Sequence, residues 1–430
     1  MGIYANGKEW NCSLPELVPM EQELHDSTVI ANPREKARDE IHSKIVRSEL
    51  FKPGNRVAIT VGSRGIGSIS EIVAGVVDAV KKVGCTPFIV PAMGSHGGED
   101  AREKAQILAH LGIKEDRVGA PISLCSDIAL AGTTKDGVPI YCQKEAYEAD
   151  AIILLNRIKT HTDFRSEIES GLVKIACVGL GSYLGAQWVH AMGYEKLAQR
   201  VRAAGEGAIR MLNIPVALAI IEGHSGKPAV LKALAIDEIV SGEKQLLDKV
   251  RTHIARLPVD CLDLLVVYEM GKDISGLGLD SFVTGRYPSG KNPSPNEGPD
   301  IYRIAVLNLT EASEGNASGI GLCDVTTQKL YDKINFSLMY GNVITSRGSA
   351  SAKIPYIMRS DREAISVGLL TCYTPLVDAK LMLIKNTLQL QTFFVSRPLV
   401  HLCKEAGAKV VGSPVEITFD REGNLLTPSF

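Results

Sequence analysis

The sequence predicts an α/β protein of two domains, each a mostly parallel or mixed sheet flanked by helices, with an active site in the cleft between them. Three observations carry that expectation. From residue 55 onward, apolar β-branched runs alternate with stretches of helical periodicity, as when parallel strands are joined by crossover helices. The run ADAIILLNRIKTH (149–161) holds AIILL without a polar interruption, as a strand covered on both faces should. At 430 residues the chain is long for one core, since a domain holds roughly 100–200 residues.

The first strand is NRVAITVG (55–62). It runs into SRGIGSISE, where Ser68 and Glu71 have the S-x-x-E spacing of a capping box, so a helix is expected through about Lys82. CTPFIVPAMG (85–94) repeats the design, and SHGGEDAREKAQILAHLG becomes helical after its glycine pair. ADAIILLNRIKTH is the third strand and IPVALAIIEG (214–223) the fourth. LKALAIDEI (231–239) reads as an edge strand before the helix SGEKQLLDKVRTHIARLP (241–258). A second unit opens at CLDLLVVYEMGKDISGLGLD (261–280), which sets a boundary near 258–270 and domains of 1–260 and 261–404. RYPSGKNPSPNEGPD (286–300), rich in Pro, Gly and Asn, is expected as a loop or lid. IYRIAVLNLT and GNVITSRG are further strand candidates, and the last stretch, 405–430, is a candidate to return to the first domain.

Composition narrows the function. A hydrophobic content of 45% and a net charge of −2 describe an ordinary globular chain. Without a basic excess there is no electrostatic footprint for nucleic acid or an anionic membrane. No apolar run reaches the ~20 residues that span a bilayer, and MGIYANGKEWNCSLPEL lacks the order of a signal peptide. Nine cysteines stand singly, without C-x-x-C spacing, which argues against a disulfide framework or a structural zinc site. A cytoplasmic chain with mostly reduced, buried thiols is expected. GSRGIG and GLGSYLG resemble pieces of a dinucleotide fingerprint, but neither contains G-x-G-x-x-G. A Walker A sequence and a G-x-S-x-G elbow are absent as well.

Arg64, His96 and His161 each follow a predicted strand, in the loop leaving its carboxyl end. Open α/β sheets bind ligands in the crevice outside those ends, so three loops are expected to converge on one pocket. An arginine there can hold a carboxylate or phosphate through two parallel hydrogen bonds, or it can be a solvated loop side chain. The two histidines suit proton transfer near neutral pH, or they cap backbone groups. His190, in QWVHAMGY, can ligate a metal such as Zn, Cu, Fe or Ni, or simply pack among apolar neighbours. Lys174 lies in SGLVKIACVG, where burial would lower its pKa and make the amine nucleophilic; the alternative is a lysine snorkelling to the surface.

Over about residues 50–260, the chain resembles the lactate racemase family, enzymes that use a nickel-pincer nucleotide. The resemblance is carried by VGSRGIG, MGSHGGEDAREK, IKTHTDF, SGLVK and the sixteen-residue interval from Lys174 to His190. It implies that Lys174 is joined through a thioamide to a thiolated pyridinium mononucleotide, with Ser170 and Gly171 as its cofactor-binding neighbours. His190 then matches the imidazole that ligates nickel beside two sulfurs and one carbon of the cofactor. His96 and His161 match the acid/base pair on opposite faces of the substrate, and Arg64 matches the arginine that holds its carboxylate. The implied reaction is racemisation or epimerisation of a 2-hydroxy acid by hydride transfer to and from the cofactor.

Two departures stand out. Val61 occupies the acidic position of the family prototype's Asp-x-x-Arg. In the second half, GKDISGLGLDSFVTGR stands where the prototype has a Gln and a Lys, and it offers Lys272 and Asp273 to the substrate. A 2-hydroxy acid larger or more polar than lactate is therefore expected. The partners implied are that small molecule, the cofactor-synthesis proteins and other copies in a homo-oligomer. The alternative from a different class, motivated by Val61, is a non-catalytic sensor that binds the cofactor or a hydroxy acid.

Overall fold

The computed structural model describes residues 10–24, 29–46, 48–63, 65–95, 100–162, 164–191, 193–224, 226–252, 254–288 and 298–430. Close contacts divide the chain into two compact units: 25–254 with 345–347, and the residues up to Leu24 with 255–344 and 348–430.

The first unit holds a five-stranded sheet in the order Thr86–Pro91, Arg56–Val61, Ala151–Arg157, Val216–Glu222, Pro228–Ala235. The first four strands are parallel, and Pro228–Ala235 closes one edge antiparallel. Side chains alternate between the two faces, and both faces are apolar. Val57, Ile59, Val61, Ile153 and Leu155 pack under helices Pro33–Ile45, Ile69–Lys82 and Ala101–His110. Ala58, Ile152 and Leu154 face helices Ser182–His190, Leu197–Met211 and Ile239–Thr252. This double burial is why AIILL reads as an uninterrupted apolar run.

The second unit is built on an eight-stranded mixed sheet. Its order is Tyr356–Met358, Val325–Thr327, Asp300–Val306, Cys261–Val267, Leu381–Ile384, Thr392–Ser396, Leu17–Glu21, Lys409–Val410. The first five strands are parallel and the remaining pairings antiparallel. All nine cysteines are free thiols. Among the described residues no single helix is long and apolar enough to cross a membrane.

Four expectations are corrected. Ser68 does not form a capping box: it sits at φ 55°, in the left-handed region, and its hydroxyl makes no cap hydrogen bond. GNVITSRG is not a strand; it continues helix Phe336–Ser346, whose Met339 and Val343 are buried one turn apart while Ile344 stays 75% exposed. The C-terminal stretch belongs with the second unit, because Lys409–Val410 pairs with Leu17–Glu21 and Val415 exchanges backbone hydrogen bonds with Leu17. The same pairing carries the N-terminal strand Leu17–Glu21 out of the first unit, where the sequence boundary 1–260 puts it. A hairpin of Ile128–Thr133 with Pro139–Gln143 was not among the expected elements. Of the expected lid, residues 289–297 lie outside the described residues.

GLGSYLG is a packing device. Residues Ile175–Gly179 form a π-helical turn, with Leu180 N donating to Ile175 O at 2.9 Å, and the chain then bends by 109° into helix Ser182–His190. At the bend, a Cβ on Gly181 would lie 2.2 Å from the carbonyl oxygen of Cys177. Gly181→Ala is therefore expected to cost about 2 kcal/mol, as overpacking against backbone does. Chemical denaturation measures it, and a loss below about 0.5 kcal/mol would contradict the steric account.

Candidate active site at the carboxyl edge of the first sheet

Strand Arg56–Val61 has Thr86–Pro91 on one side and Ala151–Arg157 on the other, so the order of the sheet reverses there. Such a switch point opens a crevice at the strands' carboxyl ends. A cavity of ≈ 130 Å³ lies in that place, lined by Ser63, Gly94, Asn156, Lys159, Ser170 and Lys174, among others. Arg64 and His96 themselves lie outside the described residues. Ser63, the chain neighbour of the first, and Gly94, two residues before the second, line the cavity. Glu222, at the end of the adjacent strand, accepts from the backbone of Gly67 at 2.6 Å and pairs with Arg157, which ties the Arg64 loop to the sheet.

The segment from Lys159 to Lys174 is shaped by buried carboxylates. Lys159 and Ser170 form an antiparallel bridge, with N···O distances of 2.8 and 3.2 Å. Between them the chain loops out through His161. Glu169, without exposed surface, gathers this loop: its carboxylate accepts from His161 N at 2.6 Å, Ser166 N at 3.1 Å and the Arg251 guanidinium at 2.6 Å. The His161 ring stacks on Phe164 with centroids 4.1 Å apart. Glu169→Ala would leave two backbone donors and an ion-pair partner without their acceptor. A loss of about 3 kcal/mol is expected. Urea denaturation reads it, and a loss under about 1 kcal/mol would show that the loop holds itself.

Ser170 and Gly171 enter the helical turn Leu172–Lys174, which passes directly into the π-helical Ile175–Gly179. Asn156 donates from Nδ2 to Gly171 O at 2.8 Å, so the end of the third strand sets where this turn begins. π-Helical turns occur often at functional sites, because the extra residue re-aims its neighbours. Lys174 faces the cavity, and His190 is the last residue of the helix after the bend.

His161, Lys174 and His190 form one electrostatic group. Burial pushes His161 well below the usual histidine range, and the charges of Lys174 and His190 add to that effect. Burial also lowers His190 to about 4, again with Lys174 next in weight. Both imidazoles are therefore neutral at physiological pH, the form that accepts a proton or binds a metal. Among the described residues no group of three or more His, Cys, Asp or Glu could hold a metal ion. One neutral imidazole beside one amine fits a metal whose remaining ligands arrive with a lysine-bound cofactor, and these residues are compatible with such a group.

Lys272 belongs to the second unit, and its ammonium donates to Gly276 O at 2.7 Å and Asn342 Oδ1 at 2.6 Å. Asp273 Oδ1 accepts from the Thr310 hydroxyl at 2.6 Å. Sequence reading missed Asn156, Glu169 and Glu243. The signal for Glu243 was present: it falls on the apolar face of its helix with Ile239, Gly242, Leu246 and Leu247.

Residues 19–198 match the family described as the lactate racemase N-terminal domain. The fold is similar to that of the lactate racemase apoprotein from Thermoanaerobacterium thermosaccharolyticum, with a TM-score of 0.52 and 13% identity over 87% of this chain and 99% of that one. A Thermotoga maritima protein is 14% identical over 80% of this chain and 92% of its own, with a TM-score of 0.47. No curated protein sequence matches. Residues 19–198 thus resemble a lactate racemase N-terminal domain, and the chain shares the fold of that apoprotein.

Proposed function

We propose that this protein racemises or epimerises a 2-hydroxy acid with a nickel-pincer nucleotide held covalently on Lys174. The observation that carries the reading is that Lys174 lines the strand-end cavity and its charge is felt by two neutral imidazoles, His161 and His190. When bound, the nucleotide supplies the site that takes and returns the C2 hydride. The protein's part is position and proton transfer. Arg64 clamps the substrate carboxylate. His161 takes or returns the hydroxyl proton on one face of C2, and His96 does so on the other. Ser170 and Gly171 flank the attachment point, and His190 offers its ring nitrogen to nickel. Loading depends on the proteins that make the cofactor.

The test is the chain produced together with cofactor-synthesis proteins. An adduct of nucleotide size on Lys174, nickel in the sample and exchange of the C2 hydrogen of a 2-hydroxy acid in deuterated water are expected. Unmodified Lys174 without nickel under those conditions would overturn the reading. Val61 favours a second one. It is 1% exposed and packed in the apolar core, so no acid can serve the cavity from that position. A sensor predicts binding of cofactor or hydroxy acid without exchange at C2.

A further inference from the structure

Glu243 has no exposed surface, and it lies among the buried apolar residues of helix Ile239–Thr252. A carboxyl group in such a place needs a structural reason, since burial without full hydrogen bonding is unfavourable. One of its oxygens, Oε2, accepts from the backbone N–H of Val173 at 2.8 Å. This N–H is in the first turn of the helical segment, where the backbone has no donor-to-carbonyl partner of its own. The other oxygen, Oε1, has no hydrogen-bond partner. It points at Gly171, where a Cβ would come within 2.4 Å of it.

The turn is thus gripped twice. Asn156 holds the carbonyl of Gly171 at 2.8 Å, and Glu243 holds the amide of Val173, one residue before Lys174. Burial pushes the Glu243 carboxyl up to about 7, so a neutral isostere mimics it below neutral pH. Resting on the reading of Lys174 as the attachment point, we propose that Glu243 is a positioning residue for Lys174. Through the Val173 amide it fixes the turn that presents the lysine to the cavity, and Gly171 is required because any side chain there displaces the carboxylate.

The experiment uses the full-length chain without cofactor, just below neutral pH. Acetic anhydride labels the lysines, peptide mass gives the rate at Lys174, and the exposed Lys36 serves as internal reference. Glu243→Ala and Gly171→Ala are expected to raise the Lys174 rate by about tenfold, the scale of one buried hydrogen bond, with Lys36 unchanged. Glu243→Gln, which keeps shape and acceptor, is expected to stay within about twofold of the parent. A Lys174 rate unmoved by Glu243→Ala, with only a lower melting temperature, would assign the carboxylate to stability alone and overturn the proposal. Failure of Gln to restore the rate would overturn it too. If the alanine variant does not fold, Gly171→Ala against Glu243→Gln decides the matter from the opposite side of the same contact. Because the readout needs no nucleotide, an unloaded Lys174 would count against the proposed activity and leave this result standing.

Discussion

Lys174→Ala is expected to abolish nucleotide attachment and, with it, racemisation. A fall of ~10⁶-fold or more is expected, the scale by which enzymes exceed the uncatalysed reaction. Lys174 lines the strand-end cavity and its charge is felt by both His161 and His190. Two variants separate its roles. Lys174→Arg keeps a cation beside the histidines but has no amine to acylate, so it should be as inactive as alanine. Intact mass after production with the cofactor-synthesis proteins should show neither variant modified. Either variant racemising a 2-hydroxy acid at a rate near the parent's would sink the assignment. The fold should survive, since removing the ammonium relieves the charge that presses on two half-buried imidazoles.

His161→Gln is expected to lower kcat by ~10²–10⁴-fold while the nucleotide still attaches, because one proton-transfer partner is lost and the attachment point is not. The parent's His161 is neutral well below pH 6.5, first through burial and then through Lys174. The sign of the linkage follows from that direction. In the unfolded chain the imidazole takes a proton as pH falls through about 6.5, while the folded chain resists it. His161 therefore contributes stability that is present above that pH and is lost as the solution is acidified. The cofactor-free Gln variant should show a flatter stability profile between about pH 5 and 7 than the parent. Parallel profiles would mean that His161 is an ordinary solvated histidine. A Gln variant with unchanged kcat would remove it from the proton path.

The strand-loop-helix order was legible because burial on both faces writes itself into local sequence. Val57, Ile59 and Val61 alternate with Ala58 and Thr60, and both sets are buried. That the strands' carboxyl ends share one edge was legible for the same reason, since the strands are parallel. The Ser68 capping box failed because S-x-x-E spacing carries no information on whether the serine backbone turns left-handed. GNVITSRG failed because its β-branched residues fall on different sides of a helix, Val343 buried one turn from Met339 while Ile344 faces outward.

Charge in the core was harder to read. Glu169 looks like an ordinary surface acid in the sequence, and only its place on an apolar helix face marks Glu243, yet each has no exposed surface. Their meaning comes from partners far along the chain: Arg251 for Glu169, and Val173 with Gly171 for Glu243.

By itself, the sequence determined an α/β chain, its run of parallel strands and a set of basic residues placed after strand ends or beside an apolar turn. These are local properties, set by side-chain periodicity and by the residues each loop carries. The tertiary structure decided that His161, Lys174 and His190 share one electrostatic environment, that two buried glutamates accept from the backbone of His161, Ser166 and Val173, and that residues 409–415 pair with the N-terminal strand. Those outcomes depend on pairings across tens to hundreds of residues, where burial and hydrogen bonding are settled by the whole fold.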